Sequence, residues 1–136
     1  MKDLAIVLGI RPDVIRASKI LKLLENQNEI DFDFLWSGQH YSENMKDTFF
    51  TQLNVPRPNF EFSVDKSNDS TIVSSTIENL YKHFETNKYK AVVFLGDTNT
   101  VMGSVAAAQH NIPIVHIEGC MRSYDWRMPE EKYRTV

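Results

Sequence analysis

The sequence predicts an α/β domain, a doubly wound and mostly parallel sheet with helices on both faces. Three observations carry that expectation. Residues 4–8 and 91–95 are continuously apolar, and 32–36 and 114–117 are apolar but for Asp33 and His116, the pattern of strands covered on both sides. Segments with apolar residues at helical spacing separate them. Each run is followed, at once or after one residue, by a glycine and a cluster of polar residues.

The elements follow in order. The first run ends at Gly9, and Pro12 is pre-set for a helix start; Val14, Ala17, Leu21 and Leu24 then recur on one helical face. After the second run, Met45, Phe49 and Leu53 mark another helix. Residues 54–69 are the least regular part, with Pro56, Pro58 and many polar side chains, and leave room for a short strand within 60–64. Ile72, Val73, Ile77, Leu80, Tyr81 and Phe84 form a third apolar face, and the alanine-rich residues 101–110 a fourth helix. A last helix is expected from Pro129. Strands alternating with helices imply right-handed βαβ units.

Composition narrows the function classes. A chain of 136 residues suits one domain on a prior of about 100–200 residues per domain. The formal net charge of −3 offers no basic field for nucleic acid, nor for an anionic membrane surface. Any phosphate must be bound by a few placed arginines and helix N-termini. The lone cysteine, Cys120, allows no internal disulfide and fits a reducing cytoplasm. No apolar run approaches the roughly 20 residues of a membrane-spanning helix, and the N-terminus is too acidic, and its apolar run too short, for a signal peptide.

In open α/β sheets, ligands sit outside the carboxyl ends of the strands. The loops at residues 9–13, 37–40, 96–100 and 118–122 should therefore line one rim, with Arg11, Asp97 and Glu118 converging there. Arg16 should fall at the start of the first helix, where the dipole disfavours a cation unless an anion joins it. Surface ion pairs would also explain both arginines. The first loop is not GxGxxG, so no dinucleotide pocket is implied. Thr98, Asn99 or Thr100 suits a helix cap, which accounts less well for Asp97. His116 reads as a hydrogen-bonded core residue; His83 and His110 should face solvent. Glu130 and Arg134 share a helix face four residues apart, as an ordinary salt bridge would. No metal-ligand spacing occurs, so no metal is expected.

Taken together, these loops resemble the non-hydrolysing UDP-N-acetylglucosamine 2-epimerases. The matching stretches are Gly9-Ile10-Arg11-Pro12-Asp13, Ser37-Gly38-Gln39-His40-Tyr41 with Met45-Lys46-Asp47, and Gly96-Asp97-Thr98-Asn99-Thr100. His116-Ile117-Glu118-Gly119 leading into Met121-Arg122-Ser123, and Met128-Pro129-Glu130-Glu131 with Arg134, complete the set. The resemblance implies the N-terminal half of a GT-B-like fold, with the active site in a cleft between two domains. It also implies a reaction without NAD, metal or other cofactor: UDP is eliminated with loss of the C2 proton, and is added back with protonation from the opposite face.

Carried over residue by residue, Asp97, Glu118 and Glu130 match the essential carboxylates, while Arg11, Arg16 and Arg134 match substrate-binding basic residues. Gln39 and His40 match a loop associated in some members with a second, regulatory UDP-sugar. Ile10, Asp13 and Arg16 stand where the family usually has Thr, Glu and Lys, which keeps the charges and leaves the sugar open. The implied protein is a cytoplasmic homodimer serving surface-polysaccharide synthesis. Its second domain supplies most uridine and diphosphate contacts and is absent here, so this chain is expected to be inactive by itself. A GT-B glycosyltransferase and a stand-alone nucleotide-sugar-binding domain are the competing readings.

Overall fold

The computed structural model describes residues 1–38 and 43–136, with residues 43–47 described by their backbone alone. The Gln39–His40 candidate site lies outside the described residues. Five strands, β1 (Lys2–Leu8), β2 (Phe32–Trp36), β3 (Phe60–Glu61), β4 (Tyr89–Leu95) and β5 (Ile114–Ile117), form one sheet in the order β3-β2-β1-β4-β5. Every pairing is parallel. The strand order reverses between β1 and β4, which opens the ligand crevice of a doubly wound sheet at their carboxyl ends.

The two faces of the sheet separate by simple alternation. Ile6 and Leu8 of β1 point into one core with Phe34, Trp36, Val93 and Leu95; Ala5 and Val7 point into the other with Leu35, Val92 and Phe94. Helix α1 (Arg11–Glu25) covers the first face with the expected stripe of Val14, Ala17, Leu21 and Leu24, all buried. Each such leucine contributes about 1.5–3 kcal/mol by leaving water. Helix α2 (Glu43–Leu53) adds Phe49 and Phe50. The Phe50 ring meets Phe34 and Trp36 edge-on at 5.8 and 5.5 Å between centroids, the geometry that aromatic quadrupoles favour.

Helix α3 (Asp69–Thr86) and helix α4 (Ser104–Gln109) cover the opposite face. A reciprocal capping box between Asn68 and Thr71 starts α3, satisfying two otherwise unpaired N–H groups. The helix expected over residues 101–110 is shorter than its apolar pattern suggested, because Asn99–Gly103 forms a tighter 3-10 turn before α4. Helix α5 (Pro129–Tyr133) begins at the expected proline. The strand allowed within residues 60–64 narrows to Phe60–Glu61 on the sheet edge.

His83 does not face solvent. It is buried, with its ring 4.5 Å from Phe60 and 5.5 Å from Phe62 between centroids. Tyr89 donates its hydroxyl proton to Asp33 at 2.7 Å, so His83 Nε2–H must be the donor across its 2.8 Å contact with Tyr89. Lys2 Nζ completes the cluster at 2.7 Å from Asp33. Burial holds the His83 imidazole below its ordinary pKa, against the opposing pull of Asp33. His110 is half-exposed, with its Nε2 3.1 Å from the carbonyl oxygen of Tyr81.

Candidate active site

The carboxyl ends of the strands meet closely at Gly9, just past β1. A Cβ there would lie 2.0 Å from Thr100 Oγ1 and 2.5 Å from Ser37 Oγ. Only a residue without a side chain lets the loops after β1, β2 and β4 close on one another. The buried hydroxyls of Ser37 and Thr100 face each other at 3.2 Å.

The ends of β4 and β5 are fixed to each other in the same way. Gly96 has φ +78°, a conformation that glycine adopts at little cost. Its N–H donates to the Ile117 carbonyl at 3.0 Å, and its own carbonyl accepts from His116 Nε2–H at 2.6 Å. His116 therefore plays the expected structural part, holding the turn that presents Asp97. Glu118 has a φ of 64°, which is uncommon for a residue with a side chain and concentrates at functional sites.

Two ion-pair systems occupy this rim. In the first, Arg16 Nη1 donates to Glu118 Oε2 at 2.5 Å and Arg16 Nη2 donates to Asp13 Oδ1 at 2.6 Å. Asp13 is only 1% exposed, and the Thr98 hydroxyl lies 3.5 Å from its other oxygen. In the second, Arg134 Nη2 donates to Asp97 Oδ2 at 2.6 Å, while its Nη1 lies 3.1 Å from the Met121 carbonyl and 3.4 Å from Glu131 Oε2. Glu131, 2% exposed, also accepts from the Ser123 N–H at 3.0 Å and the Ser123 hydroxyl at 2.8 Å.

These surroundings shift proton affinities in different directions. Burial pushes the Asp13 carboxyl above its ordinary value, although Arg16 and Thr98 oppose it. Burial works against the Arg16 cation, but Asp13, Glu118 and Asp97 outweigh it and raise its pKa. The Ser123 hydroxyl, foremost, with the Ser123 N–H and the charges of Arg134 and Arg122, holds Glu131 below the usual carboxylate range. Side chains of Glu118 and Asp97 stay 27% and 29% exposed, so both remain accessible to a substrate.

The structure thus brings Arg16, Asp97, Glu118 and Arg134 into ion pairs on one rim. Arg11 starts α1 at the same rim, but its guanidinium lies over the Phe49 ring, 4.6 Å from the centroid. Glu130 is exposed, and its side chain makes no hydrogen bond or ion pair among the described residues. The expected Glu130–Arg134 pairing is replaced by Glu131–Arg134, because the buried Glu131 competes from a less polar position.

Sequence reasoning missed Asp13 and Glu131 as members of the site. Their signal was present: each is an acid three residues before an arginine, just inside a helix with proline in its first two positions. Among the described residues no group of three or more His, Cys, Asp or Glu side chains could hold a metal. The rim carboxylates have guanidinium groups between them instead. No helix among the described residues is long and apolar enough to cross a membrane.

Comparison with known proteins gives the same direction. Residues 22–136 match the family model described as UDP-N-acetylglucosamine 2-epimerase. The UDP-N-acetylglucosamine 2-epimerase of Methanocaldococcus jannaschii is 37% identical over 134 residues, covering 98% of this chain and 36% of the relative. The UDP-2,3-diacetamido-2,3-dideoxy-D-glucuronate 2-epimerase of Pseudomonas aeruginosa is 34% identical over 137 residues, covering 100% of this chain and 38% of the relative. The crystal structure of the M. jannaschii enzyme with UDP-GlcNAc and UDP superimposes with a TM-score of 0.89 at 38% identity, over 97% of this chain and 36% of that one. The Neisseria meningitidis enzyme bound to UDP-GlcNAc gives a TM-score of 0.84 at 28% identity, over 98% of this chain and 37% of that one. The chain spans little more than a third of the length of these relatives and aligns along nearly all of its own. It belongs to the UDP-N-acetylglucosamine 2-epimerase family.

Proposed function

We propose that residues 1–136 form the N-terminal Rossmann-like domain of a UDP-sugar 2-epimerase, one wall of a cleft whose other wall is a C-terminal UDP-binding domain. UDP-GlcNAc, or a close 2-acetamido relative, is the substrate. The observation that supports this reading best is the pair of arginine-held, partly exposed carboxylates, Asp97 after β4 and Glu118 after β5, beside the sheet's switch point.

The reaction needs carboxylates that accept and return the C2 proton from either face, and positive charge for the departing diphosphate. Asp97, Glu118 and Glu130 are assigned to the proton transfers. Arg11, Arg16 and Arg134 supply the positive charge of the rim. When the C2 proton leaves as the C1–O bond to UDP breaks, a 2-acetamidoglucal forms. Re-addition of UDP with protonation on the other face gives the C2 epimer. The electrons of the C2–H bond form the C1=C2 bond while those of the C1–O bond leave with UDP, so no oxidant or cofactor is required. A cytoplasmic homodimer completes the reading; the single free cysteine, Cys120, suits a reducing compartment.

The test is proton exchange at C2 by the protein with both domains, in D2O with UDP-GlcNAc. The expected result is deuterium at C2 together with the C2 epimer. Asp97→Asn, Glu118→Gln and Glu130→Gln should each lower exchange by roughly 10²-fold or more, the scale of a lost acid–base group. Near-normal exchange in all three variants would refute the assignment. Sugar transfer to an acceptor, or binding without exchange, would favour a glycosyltransferase or a binding domain.

A further inference from the structure

The two ion-pair systems are built alike. In α1 the acid Asp13 is the third residue of the helix, next to Pro12, and in α5 Glu131 is likewise the third residue, counted from Pro129. Both acids are almost fully buried, and both pair with an arginine three residues further on. Arg16 from within α1 and Arg134 from just past the end of α5 then each reach a carboxylate on a different loop, Glu118 for Arg16 and Asp97 for Arg134. We infer that Asp13 and Glu131 are positioning residues that lock Arg16 and Arg134 as fixed counter-charges for Glu118 and Asp97. The inference rests on the epimerase reading of those two carboxylates.

The physical need is clear from the arginine side chain. A free arginine carries about 2 kcal/mol of rotamer entropy, and a mobile one beside a diphosphate would swing towards it. An acid at the third helical position suits the helix dipole, and from there it holds the guanidinium from behind. The other edge of the guanidinium then faces the rim carboxylate. Glu131 does a second job, since its bonds to Ser123 tie the loop after β5 to α5. The buried Nε of Arg134 has no hydrogen-bond partner among the described residues. Its placement is therefore dictated by the carboxylates and the Met121 carbonyl, not by saturation of its donors.

A division among the three rim arginines follows. Arg16 and Arg134 each face two carboxylates, so they act on the reaction through Glu118 and Asp97. Arg11 has no ion pair among the described residues and rests against an aromatic ring, which leaves its charge for an anion.

The test uses the near-isosteric Asp13→Asn and Glu131→Gln, with Asp13→Glu and Glu131→Asp as charge-restoring controls. In the 136-residue chain, the guanidinium ¹⁵N–¹H signals of Arg16 and Arg134 should be resolved in the wild type. The Arg16 signals should average out in Asp13→Asn and the Arg134 signals in Glu131→Gln, and both should return in the controls. In the protein with both domains, kcat should fall roughly 10- to 100-fold with KM nearly unchanged, as expected for misplaced catalytic groups. The two systems are measured separately, so a variant lost to misfolding leaves the other to decide. Resolved arginine signals in both neutral variants, or a raised KM at unchanged kcat, would overturn the inference. Absence of C2 exchange in the wild type would instead refute the epimerase reading, and the arginine signals would still decide the positioning.

Discussion

Gly9→Ala is the sharpest test of how the crevice is held together. The new methyl carbon would sit 2.0 Å from Thr100 Oγ1 and 2.5 Å from Ser37 Oγ, where ordinary contact begins at 3.4 Å. Both oxygens must retreat by about an ångström or more, and both belong to buried side chains. Overpacking of this kind typically costs about 1–3 kcal/mol, and breaking the Ser37–Thr100 hydrogen bond adds about 1 kcal/mol. A total of roughly 2–4 kcal/mol is a large share of the 5–15 kcal/mol that stabilises a domain. Urea denaturation of the chain should show this as a lower midpoint at unchanged slope. In a Thr100→Ala background the nearest oxygen is gone, so the cost of Gly9→Ala should drop by about 1 kcal/mol or more, a coupling expected for residues in contact. A Gly9→Ala variant within about 0.5 kcal/mol of wild type would refute the close meeting of these loops.

Two further expectations follow from other parts of the molecule. The 136-residue chain alone should bind UDP-GlcNAc weakly and lose that binding as salt rises, because its charges act from an open, solvated rim; calorimetry at two ionic strengths checks the binding, and sustained conversion to UDP-ManNAc would contradict the two-walled cleft. His83, held below its ordinary 6.5 by burial, takes up its proton less readily folded than unfolded; its contribution is full above that ordinary value and is lost as pH falls through the folded pKa. Wild type should therefore lose stability relative to His83→Gln as pH is lowered from 7 to 5, by up to about 1.4 kcal/mol per pH unit for one proton; parallel pH profiles would remove His83 from the account.

Strands β1 and β4 were readable because residues 4–8 and 91–95 are apolar at every position, so recognising them did not depend on choosing a period. Strand β5 follows from a similar run, although Ile114 and Val115 lie exposed on it. The rim was readable for a related reason. Glu118 directly follows an apolar run and Asp97 follows one after Gly96, and chain direction in a parallel sheet brings such positions to one end. Which of Glu130 and Glu131 turns inward was not readable. Adjacent helical residues differ by about 100° in direction, so the answer depends on how α5 docks against Ser123 and Asp97. His83 was missed for a similar reason. Its burial comes from Phe60, Phe62 and Tyr89 on other elements, and no local pattern on α3 announces them. The pairing of Asp13 with Arg16 has a local signal in their spacing of three residues, whereas the sharing of that arginine with Glu118 depends on how the loop after β5 meets α1.

Charge balance at the rim limits what this wall can do. Asp13, Asp97, Glu118, Glu130 and Glu131 outnumber the arginines Arg11, Arg16 and Arg134 that stand with them. Counting Arg122, whose charge also acts on Glu131, does not reverse this, since the five acids still outnumber four arginines. A diphosphate brought to such a surface would meet a repulsive or neutral field at most points, whatever it gained from Arg11 or from a helix N-terminus. A surface rich in held carboxylates is well suited to moving a proton at a carbon, where a base must be charged yet aimed. It is poorly suited to carrying the leaving group. On the epimerase reading, the proton chemistry therefore belongs to this wall and most of the phosphate charge belongs to the facing one. The weak binding expected of this chain and the acid–base role proposed for its rim would then be two consequences of one charge distribution.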